Sequence, residues 1–412
     1  MPNYDSPDSA MNRRSFFRSG GLLAATFATL PASKLFSGDK IIMPFANGER
    51  SLVKFPQKRP LILLTSRPPQ LETPFSVFNE GVITPTDAFF VRYHLSEIPL
   101  SIDPETFRLE IKGLVESPLT LSLADLKSKF EPVEFVAVCQ CSGNGRGLSQ
   151  PRVAGGQLGN GAMGNARWKG VRLKDLLDKS GVKSSAKQVT FNGLDKPIIE
   201  KIPDFVKALD LDHARDGEVM LAYEMNGEPL PMLNGYPLRL VVPGYFGTYW
   251  VKHLSEITVV EEPLGNFWMN PAYRIPDNDC GFVEPGSAPG KTKPITRLNV
   301  RSFITNYQDG DTIKAEENIS LKGIAFDAGF GIKEVLFSLN GGTTWEPATL
   351  GRDFGKYSFR EWQTKPLTLS RGKHELKVRA INRVGQTQPL EALWNPAGYM
   401  RNVVETVRVE VV

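Results

Sequence analysis

The segment VEFVAVCQCSGNGRG, residues 133–147, places two thiols, Cys139 and Cys141, one residue apart at the junction of an apolar run and a turn. Its apolar, β-branched first half predicts a buried strand, and its second half is a glycine-rich turn that contains Arg146. Cys139 belongs to the strand, whereas Cys141 lies where the strand gives way to the turn. A disulfide between these two cysteines would close a very small, strained ring and is not expected.

The spacing around Cys141 supports two interpretations. A lone cysteine is most often a buried apolar residue. A thiolate at a strand end, beside glycines that let another group approach the backbone, also suits a soft metal. One thiolate is too little to hold a bare ion, so a metal here would need further ligands from a cofactor. The residues alone leave both interpretations open.

The composition is that of an ordinary globular protein of two or three domains. Of 412 residues, 41% are hydrophobic and 23% charged, and the 37 glycines and 31 prolines favour strands and turns over long helices. A net charge of +4 is too balanced for a nucleic-acid-binding protein, although it allows a basic pocket for a small anion. The sequence contains no C-x-x-C, C-x-x-C-H or H-E-x-x-H pattern, so covalent c-type haem and the common zinc sites are not expected.

Residues 1–38 are typical of a bacterial export signal. The pair Arg13-Arg14 precedes an apolar run, GGLLAATFATLPAS at residues 20–33, which is too short to span a membrane. Paired arginines before such a run predict a twin-arginine signal peptide and therefore a periplasmic protein. A short amphipathic helix or a tail is the alternative. No other apolar stretch approaches membrane-spanning length.

Two domains are predicted after the signal. Residues 39–288 mix strands, long glycine-rich connections and short helices, such as the helix that Ser122 caps in SLADLK, and predict an α+β domain. The segment EPGSAPGKTKP, residues 284–294, marks a break. In residues 289–412, apolar and charged residues alternate repeatedly, and Asn340-Gly341-Gly342 predicts a hairpin turn. About seven strands at this spacing predict an immunoglobulin-like β-sandwich that serves as an interaction module.

Two further groups of residues suggest an anion site in the first domain. Arg92 and His94 are two residues apart in FFVRYHL, so an extended backbone places both on one face. Arg239, on a predicted strand, and Lys252, one loop later, could clamp a phosphate. Surface residues and structural ion pairs give the same patterns, so these spacings alone do not decide the function.

Together these segments resemble the sulfite oxidase family of molybdenum enzymes. The correspondence covers nearly the whole chain after the signal, and the ordered series is far more specific than any one motif. The similar segments are FFVRYHL (89–95), CSGNGR (141–146), GAMGNARWKG (161–170), FNGLD (191–195), LAYEMNGEPLP (221–231), YPLRLVVPGYFGTYWVKHL (236–254), NFWMNPAYR (266–274) and WNPAGYMRN (394–402).

The resemblance implies a sulfite-oxidase-type molybdopterin domain in residues 39–288 and a dimerisation domain in residues 289–412. Cys141 would donate its thiolate to molybdenum, whose other ligands would be a pterin dithiolene and oxo groups. Arg92, Arg146 and Tyr273 would join Cys141 as the catalytic residues of the substrate pocket. The expected molybdopterin-binding residues are Phe90, Val91, Arg92, Tyr93, His94, Cys141, Asp195, Asn234, Arg239, Trp250, Val251 and Lys252.

The implied activity is that of a periplasmic sulfite dehydrogenase, which oxidises sulfite to sulfate and passes electrons to a c-type cytochrome. About 40 residues between the signal and the catalytic region are too few for a haem domain of the cytochrome b5 type, which folds as a unit of domain size, so no haem is expected in this chain. A homodimer, or a heteromer with a cytochrome subunit, is expected. The chain departs from the pattern of the animal members at two positions. Asn234 stands where those members typically have His in the phosphate site, and Gly145 replaces an Arg.

Other functions remain as alternatives. Within the family, the chain could act on protein-bound sulfane sulfur, reduce oxidised methionine, or be a sulfite oxidase that uses oxygen. Outside it, the chain could be an exported, non-enzymatic binding protein with buried cysteines. The joint presence of Arg92, Arg146 and Tyr273 favours sulfite as the substrate.

Overall fold

The computed structural model describes residues 39–412, so the predicted signal peptide lies outside the described residues. The first described sheet is an antiparallel meander whose five strands pair in chain order. These strands are β1 (Lys40–Ile42), β2 (Glu49–Val53), β3 (Leu61–Ser66), β4 (Pro69–Glu72) and β5 (Val91–Arg92). Its last strand, β5, contains Val91 and Arg92 of the FFVRYHL motif.

The rest of the first domain is also mostly sheet, with three short α-helices. Its strands are β6 (Leu109–Gly113), β7 (Leu119–Leu121), β8 (Pro132–Gln140), β9 (Met163–Arg172), β10 (Gln188–Gly193), β11 (Lys207–Asp210), β12 (Met220–Met225), β13 (Glu228–Pro229), β14 (Arg239–Val241) and β15 (Leu254–Val260). The helices are α1 (Leu123–Lys129), α2 (Leu173–Ser180) and α3 (Leu211–Ala214). One sheet has the order β11-β10-β15-β6-β7, and the other has the order β13-β12-β9-β8 with β14 paired to β12.

Local sequence explains where α1 begins and which face of α2 is buried. Ser122 caps α1 as predicted: its hydroxyl accepts from the Asp125 amide at 3.0 Å, and the Asp125 carboxylate accepts from the Ser122 amide at 2.9 Å. This reciprocal pair satisfies amides that the first turn of a helix leaves free. Helix α2 buries Leu173, Leu176 and Leu177 on one face and packs on the sheet that contains Trp168.

The second domain consists of two further sheets, preceded by a hairpin of β16 (Arg274–Pro276) and β17 (Thr292–Pro294). The predicted domain boundary at residue 288 falls in the loop of this hairpin. The sheet β18-β20-β24-β23 comprises Arg301–Ile304, Lys322–Phe326, Arg360–Gln363 and Thr349–Leu350 in that order. The sheet β19-β26-β25-β21-β22 comprises Asp311–Ile313, Thr406–Val411, Gly372–Asn382, Ile332–Ser338 and Glu346–Pro347.

The second domain therefore has the all-β structure that its sequence predicts. The hairpin expected around Asn340-Gly341-Gly342 joins β21 to β22, and both glycines have the left-handed φ that this turn needs. The immunoglobulin-like topology stays a prediction.

The two domains share a hydrophobic core. Phe303 and Phe359 of the second domain pack in one cluster with Leu95, Met163 and Tyr273. This cluster places the predicted catalytic Tyr273 at the border between the domains. Among the described residues, no helix is long and apolar enough to cross a membrane.

Candidate active site

The cysteine turn begins at the end of β8 and is held by hydrogen bonds to a glycine-rich loop. The Cys141 amide donates to the Ala162 carbonyl at 2.9 Å. The Asn144 side chain accepts from the Ala162 amide at 2.9 Å and donates to the Asn160 carbonyl at 3.2 Å. Gly145 has φ 86°, a left-handed conformation that a glycine adopts without strain. The turn therefore holds Cys141 in a fixed, half-buried position.

The glycine-rich loop, residues 153–165, is anchored by a carboxylate that the sequence did not reveal. Glu72, at the end of β4, accepts from the Gly159 amide at 2.9 Å and from the Gly161 amide at 2.7 Å. Burial raises the pKa of Glu72 to about 7, although the two amide donors oppose that shift. Glu72 thus supports the cysteine turn indirectly, because the loop that it holds binds the Cys141 amide.

Cys141 lines a concave cavity of about 600 Å³, part of which is open to solvent. Ten residues that the sequence predicted for the site line this cavity: Phe90, Arg92, Tyr93, His94, Cys141, Asp195, Arg239, Trp250, Lys252 and Tyr273. Five lining residues were not predicted: Cys139, Ser142, Phe205, Gly247 and Thr248. Arg92 and His94 share the cavity face, as their spacing predicted, whereas Val91 points into a cluster with Leu61 and Leu71.

Basic side chains converge on one side of the cavity. The Lys252 ammonium donates to the Arg92 carbonyl at 2.5 Å, and the Arg239 guanidinium donates to the Asn234 carbonyl at 3.0 Å and contacts the Cys139 sulfur at 3.5 Å. Asp195 is the carboxylate that lines this cavity. Burial lowers the pKa of Lys252 well below its usual range and raises that of Asp195 to about 6. Among residues 39–412, no carboxylate forms a salt bridge with the buried Arg239, which favours an anion as the occupant of the cavity.

The opposite wall of the cavity contains a histidine–tyrosine pair. The Tyr273 hydroxyl and His94 Nε2 are hydrogen-bonded, and the His94 ring stacks on Phe205 with a centroid distance of 3.7 Å. Removal from water lowers the pKa of His94 well below its usual range, so its imidazole is neutral. Tyr273 has φ 57°, a strained conformation for a tyrosine. Such strain is common at functional sites.

Arg146 lies behind this wall and does not line the cavity. Its Nε donates to the Ala397 carbonyl at 2.8 Å, and its guanidinium lies 5.0 Å from the centre of the Tyr399 ring. Tyr399 in turn stacks on Tyr273, with a centroid distance of 5.4 Å and an interplanar angle of 18°. Arg146 therefore reaches the site through Tyr399, a second-domain residue of the WNPAGYMRN segment whose role the sequence did not predict.

Two buried lysines near the site were also missed. Lys207, 1% exposed, donates to the Trp268 carbonyl at 2.6 Å and lies 5.2 Å from the centre of the Tyr273 ring. Lys58, 2% exposed, donates to the Asn234 side chain at 2.5 Å. Neither lies in one of the matching segments, and burial of a lysine cannot be inferred from its local sequence. Asn234 and Val251 are buried behind the cavity wall, where the Val251 carbonyl accepts from the Leu240 amide at 2.8 Å.

Comparison with known proteins assigns both domains. Residues 95–268 match the family model of the oxidoreductase molybdopterin binding domain, and residues 292–412 match that of the Mo-co oxidoreductase dimerisation domain. The chain is 35% identical to the mitochondrial sulfite oxidase of Homo sapiens over 375 residues, which covers 86% of this chain and 67% of the human one. It is 30% identical to the sulfite oxidase of Arabidopsis thaliana over 384 residues, which covers 87% of this chain and 96% of the plant enzyme.

The chain belongs to the sulfite oxidase family of molybdenum enzymes. It is a molybdopterin-dependent oxidoreductase. The solved structure of the sulfane dehydrogenase SoxCD from Paracoccus pantotrophus has the same fold, with a TM-score of 0.69 and 24% identity over 95% of this chain and 92% of that one.

The residues around the cavity fit the molybdopterin cofactor of this family. Arg239 Nε, Thr248 Oγ1 and Ser142 Oγ are buried polar atoms without a partner among the described residues. Gly247 lines the cavity without crowding it: a Cβ at this position would lie only 3.0 Å from the Cys139 sulfur. Buried polar groups normally have partners, so these donors match the phosphate and polar pterin edge of such a cofactor. The half-buried Cys141 thiol supplies the soft ligand that a molybdenum centre accepts.

Proposed function

We propose that this protein is a periplasmic sulfite dehydrogenase that oxidises sulfite to sulfate and passes electrons to a c-type cytochrome. The observation that carries this proposal is the cavity beside Cys141, where Arg92 and the Tyr273 hydroxyl face a common space. Sulfite is a small anion, and its site needs fixed positive charge and hydrogen-bond donors. An Arg is always charged and offers planar donors. Sequence similarity to sulfite oxidases of animals and plants supports the same substrate.

The cofactor and the protein side chains would divide the work in this site. A bound molybdopterin centre supplies oxygen-atom transfer and takes up two electrons. Cys141 would hold the metal, while Arg239, Lys252 and Asp195 would bind the pterin and its phosphate. Arg92 and Tyr273 would orient the sulfite oxyanion and stabilise charge as it shifts. Neutral His94 would fix the direction of the Tyr273 hydroxyl, with which it is hydrogen-bonded.

Arg146 would act at longer range. Its charge lies behind Tyr399 and lowers the pKa of both Tyr399 and Tyr273 relative to what burial alone would give. We infer that it draws the anion towards the pocket and keeps the two stacked tyrosines in place. The Gly145 departure fits this arrangement, because a side chain at that position would meet the Arg401 side chain at 2.7 Å.

The second domain would serve assembly. Its match to a dimerisation domain supports a homodimer, and its two antiparallel-rich sheets suit the immunoglobulin-like sandwich that we propose for it. A heteromer with a cytochrome subunit is the alternative assembly. The Arg13-Arg14 pair supports twin-arginine export.

The test is a sulfite-dependent assay with purified, molybdenum-loaded protein. We expect sulfite to reduce ferricyanide and a c-type cytochrome, with about one molybdenum per chain. A loaded protein that reduces neither acceptor with sulfite would overturn the proposal. Reduction with protein-bound sulfane sulfur alone would assign the sulfane dehydrogenase activity, and peroxide formation from oxygen would assign an oxidase.

A further inference from the structure

Lys58 is a buried lysine whose ammonium group binds three neutral oxygen atoms. Its Nζ donates to the Thr86 carbonyl at 2.7 Å, the Phe89 carbonyl at 3.0 Å and the Asn234 side-chain oxygen at 2.5 Å. The residue is 2% exposed. All three ammonium donors are therefore satisfied, but none of the three partners carries a negative charge.

The charge of Lys58 lacks a close counterion among the described residues. The acidic group that acts on its charge is Asp87, which is half exposed and pairs with Arg59 at 2.9 Å. Burial lowers the pKa of Lys58 to about 7, and the Arg239 charge lowers it further while Asp87 opposes the shift. A buried charge without a counterion is costly, and the group otherwise tends to lose its proton. An anion within reach of Lys58 would keep it protonated.

Asn234 connects Lys58 to the cavity wall. This residue is fully buried: its side-chain oxygen accepts from Lys58, its amide nitrogen donates to the Phe90 carbonyl at 3.2 Å, and its backbone carbonyl accepts from Arg239 at 3.0 Å. Phe90 and Arg239 both line the cavity. Lys58 therefore lies one residue behind the wall, at the point where the unpaired Arg239 Nε is buried.

We propose that Lys58 and Asn234 form part of the site that binds the phosphate group of the pterin cofactor. Lys58 supplies buried positive charge to the phosphate, and Asn234 relays its position to Arg239. Lys58 is thus a positioning residue, since it acts through Asn234. This assigns a role to Asn234, which stands where animal members of the family typically have a His in the phosphate site. The inference rests on the cofactor that the family uses and does not depend on sulfite as the substrate.

The main test is the rate at which purified holoprotein releases its pterin, followed by the fluorescence of the oxidised pterin. Lys58→Met removes the charge and keeps most of the side-chain volume. The matched control is Thr73→Val, because the buried Thr73 hydroxyl donates to the Ala88 carbonyl at 2.7 Å and so supports the same segment without charge. We expect at least tenfold faster release from Lys58→Met than from Thr73→Val. Equal release rates would overturn the proposal.

A second variant separates charge from structural support. In Lys58→Met/Asn234→His, an imidazole next to Arg239 carries positive charge only when protonated. We expect pterin retention to recover at pH 6 more than at pH 8. Recovery that is the same at both pH values, or absent at both, would contradict a role for the charge. If Lys58→Met alone does not accumulate as folded protein, Asn234→Ala replaces it, and release no faster than from Thr73→Val would again overturn the proposal.

Discussion

Two thiols separated by one residue lie in different surroundings. Cys139 is fully buried at the end of β8, where burial raises its thiol pKa to about 11, whereas Cys141 is half-buried in the turn. We expect Cys141→Ser to lower sulfite turnover at least 1000-fold, because the metal loses its thiolate. Cys139→Ser should cost about 1–2 kcal/mol of stability and leave turnover within tenfold. Steady-state kinetics and urea unfolding measure both, and near-wild-type activity of Cys141→Ser would contradict the assignment.

The Tyr273 hydroxyl gives a second residue-level prediction. Tyr273→Phe removes the group that is hydrogen-bonded to His94 and faces the proposed sulfite site. We expect the KM for sulfite to rise about tenfold, in line with the loss of one hydrogen bond to a charged group, with molybdenum content unchanged. The control is Tyr249→Phe, whose hydroxyl donates to the Ile295 carbonyl at 2.7 Å outside the cavity. An equal effect in both variants would remove Tyr273 from the substrate pocket.

At the scale of elements, the site depends on how strand ends and loops hold one another. Glu72→Gln leaves one of the Gly159 and Gly161 amides facing a side-chain donor instead of an acceptor. We expect a loss of about 1–3 kcal/mol in the free energy of unfolding, because an unsatisfied buried donor carries its full desolvation cost. Glu134→Gln on β8, which removes a partly exposed ion pair with Arg167 on β9, should change stability by less than about 1 kcal/mol. Urea titrations compare the two variants, and equal losses would count against the anchoring role of Glu72.

The elements also show where sequence reasoning succeeds and where it stops. The β8 strand, the Ser122 cap and the hairpin near Asn340 follow from local pattern, because short-range chemistry determines each of them. Lys58 and Glu72 could not be found in this way. Both come from the N-terminal meander and reach the site only after burial, and no periodicity or motif marks a charged residue that will be buried by a distant segment.

At the scale of the whole molecule, the second domain supports the wall of the site through Tyr399, which stacks behind Tyr273. Tyr399→Leu removes the ring that stacks on Tyr273 and lies under the Arg146 guanidinium. We expect the KM for sulfite to rise about fivefold, consistent with the loss of about 1 kcal/mol from aromatic stacking, with kcat less affected. Tyr399→Phe keeps the ring and should remain close to wild type. If Tyr399→Phe raises the KM for sulfite as much as Tyr399→Leu does, the Tyr399 hydroxyl, and not the ring stacking, supports sulfite binding.

The stability of the whole molecule should depend on pH through a buried histidine. His253 donates from Nδ1 to the Tyr236 carbonyl at 2.6 Å, and its Nε2 lies 2.7 Å from the Tyr93 hydroxyl, from which it accepts when the ring is neutral. Burial lowers the pKa of His253 to about 4. Because the folded pKa lies below that of the unfolded chain, about 6.5, this stability is present above pH 6.5 and is lost as the pH falls towards 4.

A shift of this size corresponds to about 3 kcal/mol. We therefore expect wild type to lose about 3 kcal/mol more than His253→Asn between pH 7 and pH 4, measured by urea unfolding at each pH. Asn suits the left-handed backbone of residue 253, φ 50°, and can still donate to Tyr236. His374→Asn, at a partly exposed position on β25, serves as the control. Other buried groups titrate in the same range, including Glu72 and Asp195, but they are common to both proteins and cancel in the difference. A His253→Asn variant that loses as much stability as wild type over this range would show that the imidazole is not held neutral by the fold.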